Sequence, residues 1–225
     1  MRLLAIDAST WWGGAALLTV DAGRPTLVAE IGIQTADSHA SRLLPAIDAL
    51  LASVSWPRSS LDAYAAARGP GSFTGIRVAL GLLSGFALAS GRPTVGVGTL
   101  HAMAEAFGSA AADRVPLLDA GRGEVYGARF DAAASPPVEL SPAWVGDPTR
   151  ALSDGATVAL FGSGAVLHER RLREAGYQGV IARAPTSVAA GAGRIALTWL
   201  LDGTRDAGQA VPLYVRPADA ELKRR

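Results

Sequence analysis

The chain of 225 residues contains no cysteine and a single lysine, Lys223. Without cysteine it forms no disulfide bond, binds no metal through thiolates and uses no cysteine nucleophile. A phosphate-binding P-loop needs a lysine after its last glycine, and Lys223 does not follow a glycine. The formal net charge is only +1, so no strong overall field attracts nucleic acid.

Histidine is also scarce, and its three positions, His39, His101 and His168, are far apart in the sequence. A metal site needs several converging ligands, usually at short helical spacings, which these histidines do not offer. Ser72 and Ser163 both lack the first glycine of a G-x-S-x-G nucleophile elbow. We therefore predict no metal site and no catalytic residue, although a Ser/His/Asp triad of distant residues stays open.

Long hydrophobic runs are missing as well. The longest apolar stretch, residues 78–89, is too short to span a bilayer and contains small residues. The N-terminus reaches the acidic Asp7 too early for a signal peptide. These features predict a soluble cytoplasmic protein with no membrane segment.

Apolar patterning predicts an opening meander of three strands, residues 3–6, 15–20 and 27–33, followed by a helix over residues 39–54. That helix has an apolar stripe at three- and four-residue spacing: Leu43, Leu44, Ile47, Leu50, Leu51 and Val54. Further elements are predicted as strands at 61–68, 94–97, 115–120, 124–130, 138–140, 158–161 and 180–182, and as helices at 76–89, 100–107, 165–175 and 187–201.

The two halves of the chain begin alike. Residues 3–8 and residues 115–120 each form an apolar strand that ends in Asp-Ala before a turn into a returning strand. This predicts a duplication, with lobes at 1–108 and 109–225. Such a duplicated α/β plan, with mixed sheets flanked by helices, resembles the actin-like ATPase fold, which is ribonuclease H-like in each lobe.

In that fold the two hairpin turns hold nucleotide phosphates and metal across a cleft. The resemblance makes Asp7, Ser9 and Asp119 candidates for a vestigial nucleotide cleft. An aspartate after a buried strand can equally serve only to bind turn amides, and the residues leave both interpretations open.

The stretch from Gly69 to Arg77, with the sequence GPGSFTGIR, links a buried strand to a helix. Its glycines suit a tight turn, and Ser72 or Thr74 is predicted to cap the helix. A helix start can bind an anion, so a phosphate site and a plain capped turn are both possible. Arg77 lies unfavourably near the positive end of the helix dipole, which predicts a local group that offsets its charge.

The helix after this turn carries small residues at four-residue spacings: Gly75, Ala79, Gly81, Gly85 and Ala89. Small residues allow another helix to approach closely. Together with the apolar stripe of the preceding helix, this favours a two-helix patch that joins a partner chain over packing on the chain's own sheet alone.

The loop GPGSFTGIR resembles the signature of the TsaB (YeaZ) family. Other stretches fit the same family in the same order: residues 5–9, His39 with 43–45, residues 119–126 and residues 212–216. The resemblance implies an actin-like fold and a role in forming N6-threonylcarbamoyladenosine in tRNA, with the catalytic paralogue TsaD and the ATPase TsaE as partners.

The resemblance also implies homodimers and TsaD heterodimers that form through helices at 39–54 and 74–90. The interface residues that follow are His39, Leu43, Leu44, Ile47, Leu51, Arg77, Gly81 and Gly85. TsaD carries a His-x-x-x-His metal motif, but here Leu43 stands where its second histidine belongs. This departure supports a non-catalytic platform.

Further expectations concern ligands. No cofactor is expected to be required, ATP or ADP binding is expected to be weak, and tRNA is expected to be contacted only through the complex. Two alternatives remain. One is an ATP-dependent small-molecule phosphotransferase that uses Asp7 and Asp119 around Mg-ATP, and the other is a glycoprotease-like metallopeptidase.

Overall fold

The structure, a computed structural model, describes residues 1–34, 39–108, 112–131, 133–153, 155, 157–183, 188–204 and 210–216. Two five-stranded sheets dominate it. The first contains β1 (Arg2–Asp7), β2 (Trp12–Asp21), β3 (Arg24–Gln34), β4 (Ala63–Ala67) and β5 (Thr94–Val97), in the order β3-β2-β1-β4-β5. The first three strands form an antiparallel meander, and β4 and β5 continue the sheet in parallel from β1.

The second sheet repeats this arrangement. It contains β6 (Asp113–Gly121), β7 (Glu124–Phe130), β8 (Glu139–Gly146), β9 (Val158–Phe161) and β10 (Ile181–Ala182), in the order β10-β9-β6-β7-β8. Again three strands form an antiparallel meander and the next two add in parallel beside the first. The predicted duplication and the two-lobed α/β fold are confirmed.

Six helices cover the sheets in the described residues: α1 (His39–Ser53), α2 (Phe73–Ser90), α3 (Thr99–Phe107), α4 (Ser163–Leu167), α5 (Glu169–Glu174) and α6 (Ala189–Leu201). Two short 3-10 turns, Arg58–Ser60 and Pro148–Leu152, were not predicted. The single helix predicted over residues 165–175 is wrong, because the chain breaks at His168 into α4 and α5. The helix predicted over residues 76–89 starts three residues earlier, at Phe73.

The helices and sheets form layers because each buries its apolar face against a neighbouring element. Helices α1 and α2 cover one face of the first sheet, where Leu4 and Ile6 meet Leu43, Ile47 and Leu83. Helices α3 and α6 lie between the two sheets and contribute to one shared core with residues from both. On the far face of the second sheet, Leu117 and Leu160 meet α4 and α5. Because helices cover both of its faces, β4 is buried along its whole length.

The last helix crosses back to the first sheet. Helix α6 contacts β1, β2, β3 and β4 as well as α3. A Cβ atom at Gly193 would overlap the side chain of Leu18, and one at Gly191 would overlap the carbonyl oxygen of Ala102. These two glycines let α6, which belongs to the second half of the chain, pack closely against β2 and α3. Residues 1–108 and 109–225 therefore contain one sheet each, but α6, which belongs to the second range, packs against the sheet of the first.

Helix α2 is, by length and composition, long and apolar enough to cross a membrane. One face of it, with Ile76, Ala79 and Leu83, is buried against the first sheet in the same core as α1. A core helix of a folded domain has this composition too. The cytoplasmic location remains a prediction.

Candidate partner surface and inter-lobe turns

The loop before α2 rests directly on the turn that follows β1. The amide of Ser72 donates to the carbonyl oxygen of Ser9 at 2.7 Å. A Cβ atom at Gly71 would overlap that same oxygen, and one at Gly75 would overlap the carbonyl oxygen of Ala8. The two glycines are thus required for close contact between two stretches of backbone.

The hydroxyl of Ser72 caps α2, since it accepts a hydrogen bond from the amide of Gly75 at 3.2 Å. The prediction that Ser72 or Thr74 caps the helix is thereby resolved in favour of Ser72. One of the free amides at the helix start is satisfied by the chain itself. This contact supports the capped-turn interpretation of the loop.

The two candidate aspartates bind amides of their own turns. Asp7 is fully buried, and its Oδ1 accepts from the amide and the hydroxyl of Ser9 at 2.9 and 2.6 Å. Ser9 is buried as well. Asp119 is exposed, and its Oδ1 accepts from the amide of Gly121 at 2.9 Å. The turn interpretation accounts for Oδ1 of each aspartate, and a nucleotide cleft at these residues remains a prediction.

Arg77 has an aromatic environment. Its guanidinium lies 3.8 Å from the ring centroid of Phe73, and its Nε donates to the hydroxyl of Tyr214 at 3.3 Å. Phe73 and Tyr214 also contact each other, with ring centroids 5.5 Å apart. The local group predicted to offset the charge of Arg77 is therefore an aromatic pair.

The interface residues predicted on α1 divide into two groups. Leu43, Ile47 and Leu51 are 0%, 0% and 4% exposed, and all three lie in the core beneath the first sheet. They are corrected to core residues, because their side chains hold α1 on the sheet and offer nothing to a partner. Leu44 is half-buried, and the His39 side chain lies outside the described residues.

The residues predicted on α2 fall on two opposite faces. Gly75 and Ala79 face the sheet and are buried, whereas Gly81, Gly85 and Ala89 are exposed. A Cβ atom at Gly81 or Gly85 would meet nothing within 4 Å. Leu88 is 90% exposed. We call the exposed side of α2, formed by Phe73, Arg77, Gly81, Gly85 and Leu88, the outer face; it is flat, largely apolar and open.

The terminal segment, residues 210–216, joins the two lobes, a role that the sequence did not predict. The amide of Leu213 donates to the carbonyl oxygen of Arg68 at 2.7 Å, next to the GPGSFTG loop. Arg216 donates to the carbonyl oxygen of Ala120 at 2.8 Å and forms an ion pair with Glu124 in the second lobe. We call this segment the strap.

A buried arginine was also missed. Arg114 is 1% exposed, and its guanidinium donates to four carbonyl oxygens, those of Ala104, Gly108, Asp131 and Ala134. It ties the end of α3 to the turn after β7. Among the described residues no group of three or more histidine or acidic side chains is placed to hold a metal ion.

His101 lies beside this arginine and between the lobes. Its Nε2 donates to the carbonyl oxygen of Pro137 at 2.6 Å, and its ring stacks on Phe130 at 5.1 Å. Burial lowers the pKa of His101 and the charge of Arg114 adds to this, against the hydrogen bond to Pro137. Burial also raises the pKa of Glu105, against the charges of Arg194 and Arg114, which lower it.

Two matching sheets with helices between and around them define a two-lobed α/β protein of the actin-like class. A family model described as TsaD, tRNA N6-adenosine threonylcarbamoyltransferase, matches residues 31–136. The structures of YeaZ from Pseudomonas aeruginosa and of a protein with similarity to peptidase YeaZ superpose with TM-scores of 0.74 and 0.77, at 28% identity. They cover 95% and 96% of this chain and 99% of each of those chains.

Two curated relatives are named tRNA threonylcarbamoyladenosine biosynthesis protein TsaB. The one from Haemophilus influenzae is 39% identical over 128 residues, which are 56% of this chain and 52% of that protein. The one from Escherichia coli is 38% identical over 135 residues, 58% of this chain and 55% of that protein. The chain thus spans about half the length of the curated relatives it matches. Its sequence and fold are similar to those of proteins named TsaB or YeaZ.

Proposed function

We propose that this protein is a non-catalytic partner and stabiliser of a TsaD-family transferase in the formation of N6-threonylcarbamoyladenosine in tRNA. The observation that carries the proposal is the outer face of α2. Gly81 and Gly85 leave open space on it, and Leu88 is almost fully exposed. An exposed apolar helix face of this kind is typical of a surface that another chain covers.

The relation to the transferase family supports the choice of partner. The matching region, residues 31–136, includes α1, α2 and α3. A related chain would carry equivalent helices, so a face that pairs with itself in a homodimer could pair with its counterpart in the transferase. The homodimer and the heterodimer would then compete for one surface. In this proposal TsaE joins the complex, and this protein acts on tRNA only as part of that complex.

Ligand requirements form part of the proposal. The protein requires no cofactor, and any ATP or ADP binding is weak, since Asp7 and Ser9 are buried and Oδ1 of Asp7 is hydrogen-bonded to Ser9. Asp119 is the exposed member of the candidate cleft. Among the residues that the structure describes, no geometry favours the phosphotransferase or the metallopeptidase as a second function.

The proposal is tested by reconstituting the modification from TsaD, TsaE, tRNA and a source of threonylcarbamoyl-adenylate, with and without this protein. Product is expected only when it is present, and none is expected from this protein alone. Equal modification without it would refute the stabiliser role. ATP turnover by the isolated protein would favour the phosphotransferase. A peptidase activity that chelators abolish would favour the metallopeptidase.

The surface is tested with Gly85→Arg. A bulky charge on the flat outer face would prevent close helix approach, so heterodimer affinity is expected to fall at least tenfold. Gly85→Ala adds only a Cβ atom in open space and should bind almost normally. Gly32→Arg is the matched control on the edge strand β3, where the space is also open. Unchanged affinity of Gly85→Arg would show that the outer face is not the interface.

A further inference from the structure

We propose that an aromatic cluster at the N-terminal end of α2 determines how tightly this protein holds a TsaD-family chain. The cluster consists of Phe73, Arg77 and Tyr214, which contact one another, together with Trp11 on the adjacent β1–β2 turn. The inference rests on the proposed function and deepens it, because it names which part of the surface supplies most of the affinity.

The three aromatic side chains of the cluster are unusually open. Trp11 is 74% exposed, Phe73 52% and Tyr214 48%. Aromatic residues and arginine are the side chains that most often carry the binding energy of protein interfaces. Phe73, Arg77 and Tyr214 already contact one another, so they present a single continuous surface. Burying it on a partner would remove a large apolar area from water.

Trp11 belongs to the same end of the molecule. It lies two residues beyond Ser9, whose carbonyl oxygen accepts from the amide of Ser72, the residue before Phe73. Its turn is closed by Thr10, whose hydroxyl donates to the carbonyl oxygen of Trp12 at 2.8 Å and accepts from its amide at 3.2 Å. A side chain held on a fixed turn loses less freedom on binding than one on a loose loop.

The strap holds Tyr214 in the cluster. Tyr214 follows Leu213, which is bonded to Arg68 in the first lobe, and precedes Arg216, which is bonded to the second lobe. The tyrosine therefore sits between two anchors on different lobes. This makes Arg216 a positioning residue: it need not touch the partner to affect binding.

The cluster is continuous with the outer face. Phe73, Arg77, Gly81 and Gly85 recur at four-residue spacing along one side of α2. The glycines let a partner helix approach, and the aromatic side chains at one end offer projecting groups that its pockets would enclose. A partner seated on the outer face would therefore reach the cluster as well.

Charge favours a protein over RNA as the occupant. Aromatic side chains also stack on unpaired bases, but RNA binding normally needs several cations along the backbone path. The cluster contains one, Arg77, and that cation already contacts Phe73 and Tyr214. The formal net charge of the chain is only +1.

The test measures the affinity of full-length protein for the TsaD-family transferase by titration, using Trp11→Ala, Phe73→Ala and Tyr214→Ala. Each is expected to weaken binding at least tenfold without lowering the thermal midpoint. Leu167→Ala and Val180→Ala are controls, because these residues are 62% and 81% exposed on the second lobe. Both controls should bind like the wild type.

Arg216→Ala and its combination with Tyr214→Ala test the positioning role. If Arg216 acts through the tyrosine, the double variant binds no more weakly than Tyr214→Ala alone. A purely structural loss would instead add to the effect and lower the thermal midpoint.

The outcomes separate this inference from the proposed function. Normal binding by the three aromatic variants, with loss in Gly85→Arg, would overturn the inference and leave the proposed function standing. A wild-type protein that does not bind the transferase would overturn both. Loss of RNA binding by Trp11→Ala, with transferase affinity unchanged, would assign the cluster to RNA and also overturn the inference.

Discussion

Replacing Arg114 with methionine should destabilise the protein more than any surface change. Methionine retains much of the aliphatic volume but donates no hydrogen bond. The guanidinium makes five hydrogen bonds to four carbonyl oxygens, at 2.6 to 3.3 Å. Two of these oxygens belong to Ala104, in the last turn of α3, and to Gly108, at its C-terminal end. Carbonyl groups there have no hydrogen-bond partner within the helix, and the helix dipole favours a cation.

The magnitude follows from the four carbonyl oxygens. Each buried polar group left without a hydrogen bond costs about 1–3 kcal/mol. The lower end of this range applies here for two reasons. Most of these bonds are only part-buried, and removing the buried charge recovers desolvation energy. Arg114→Met should therefore lower the free energy of unfolding by about 4 kcal/mol. For a chain of this size that corresponds to a fall of roughly 8–16 °C in the thermal midpoint.

The assay is urea unfolding followed by circular dichroism, with the thermal midpoint as a second measurement. Arg24→Met is the matched control, because Arg24 is exposed in the β2–β3 hairpin. It should change the unfolding free energy by less than about 0.5 kcal/mol. A loss below about 1 kcal/mol in Arg114→Met would refute the reasoning, since the carbonyls would then find water without penalty.

Three further predictions concern stability. Ser72→Ala removes the α2 cap and should cost about 1 kcal/mol in chemical unfolding, whereas Thr74→Ala should cost much less. Gly75→Ala should prevent normal folding in the same assay, because its Cβ would overlap the backbone of Ala8. Gly81→Ala should leave the unfolding free energy unchanged or raise it. Equal losses of stability in the two variants would contradict this prediction. His101 has a lowered folded-state pKa, so the unfolded chain binds its proton more readily. The unfolding free energy should therefore fall as pH drops below about 6.5, by up to about 1.4 kcal/mol per pH unit, and His101→Phe should reduce this slope; an unchanged slope in that variant would assign it to other groups.

The sequence was sufficient to locate the strands because buried strands and hairpins leave local patterns, although β8 extends six residues beyond the predicted range 138–140. The runs at residues 3–6 and 115–120 marked β1 and β6, and their repetition revealed the duplicated fold. The cap at Ser72 was also local, since a serine oxygen reaches only the next few amides. Features that depend on a few neighbouring residues were thus predictable.

Features that depend on distant partners were not. An apolar stripe on a helix looks the same whether it faces its own sheet or another chain, so Leu43, Ile47 and Leu51 were assigned to a partner although they lie in the core. Arg114 binds carbonyl oxygens, which every residue has and which leave no trace in residue type. Arg216 binds one carbonyl oxygen and the carboxylate of Glu124, which lies 92 positions away in the sequence. Arg77 and Tyr214, which contact each other, are 137 positions apart.

The crossing of α6 to the first sheet has a consequence for biosynthesis. One face of that sheet stays uncovered until the ribosome has made Leu201, 104 residues after β5 ends at Val97. At about 5–20 residues per second this delay lasts roughly 5–20 s. The nascent first lobe therefore exposes an unfinished apolar surface for seconds, a period in which chaperones would have to protect it from aggregation.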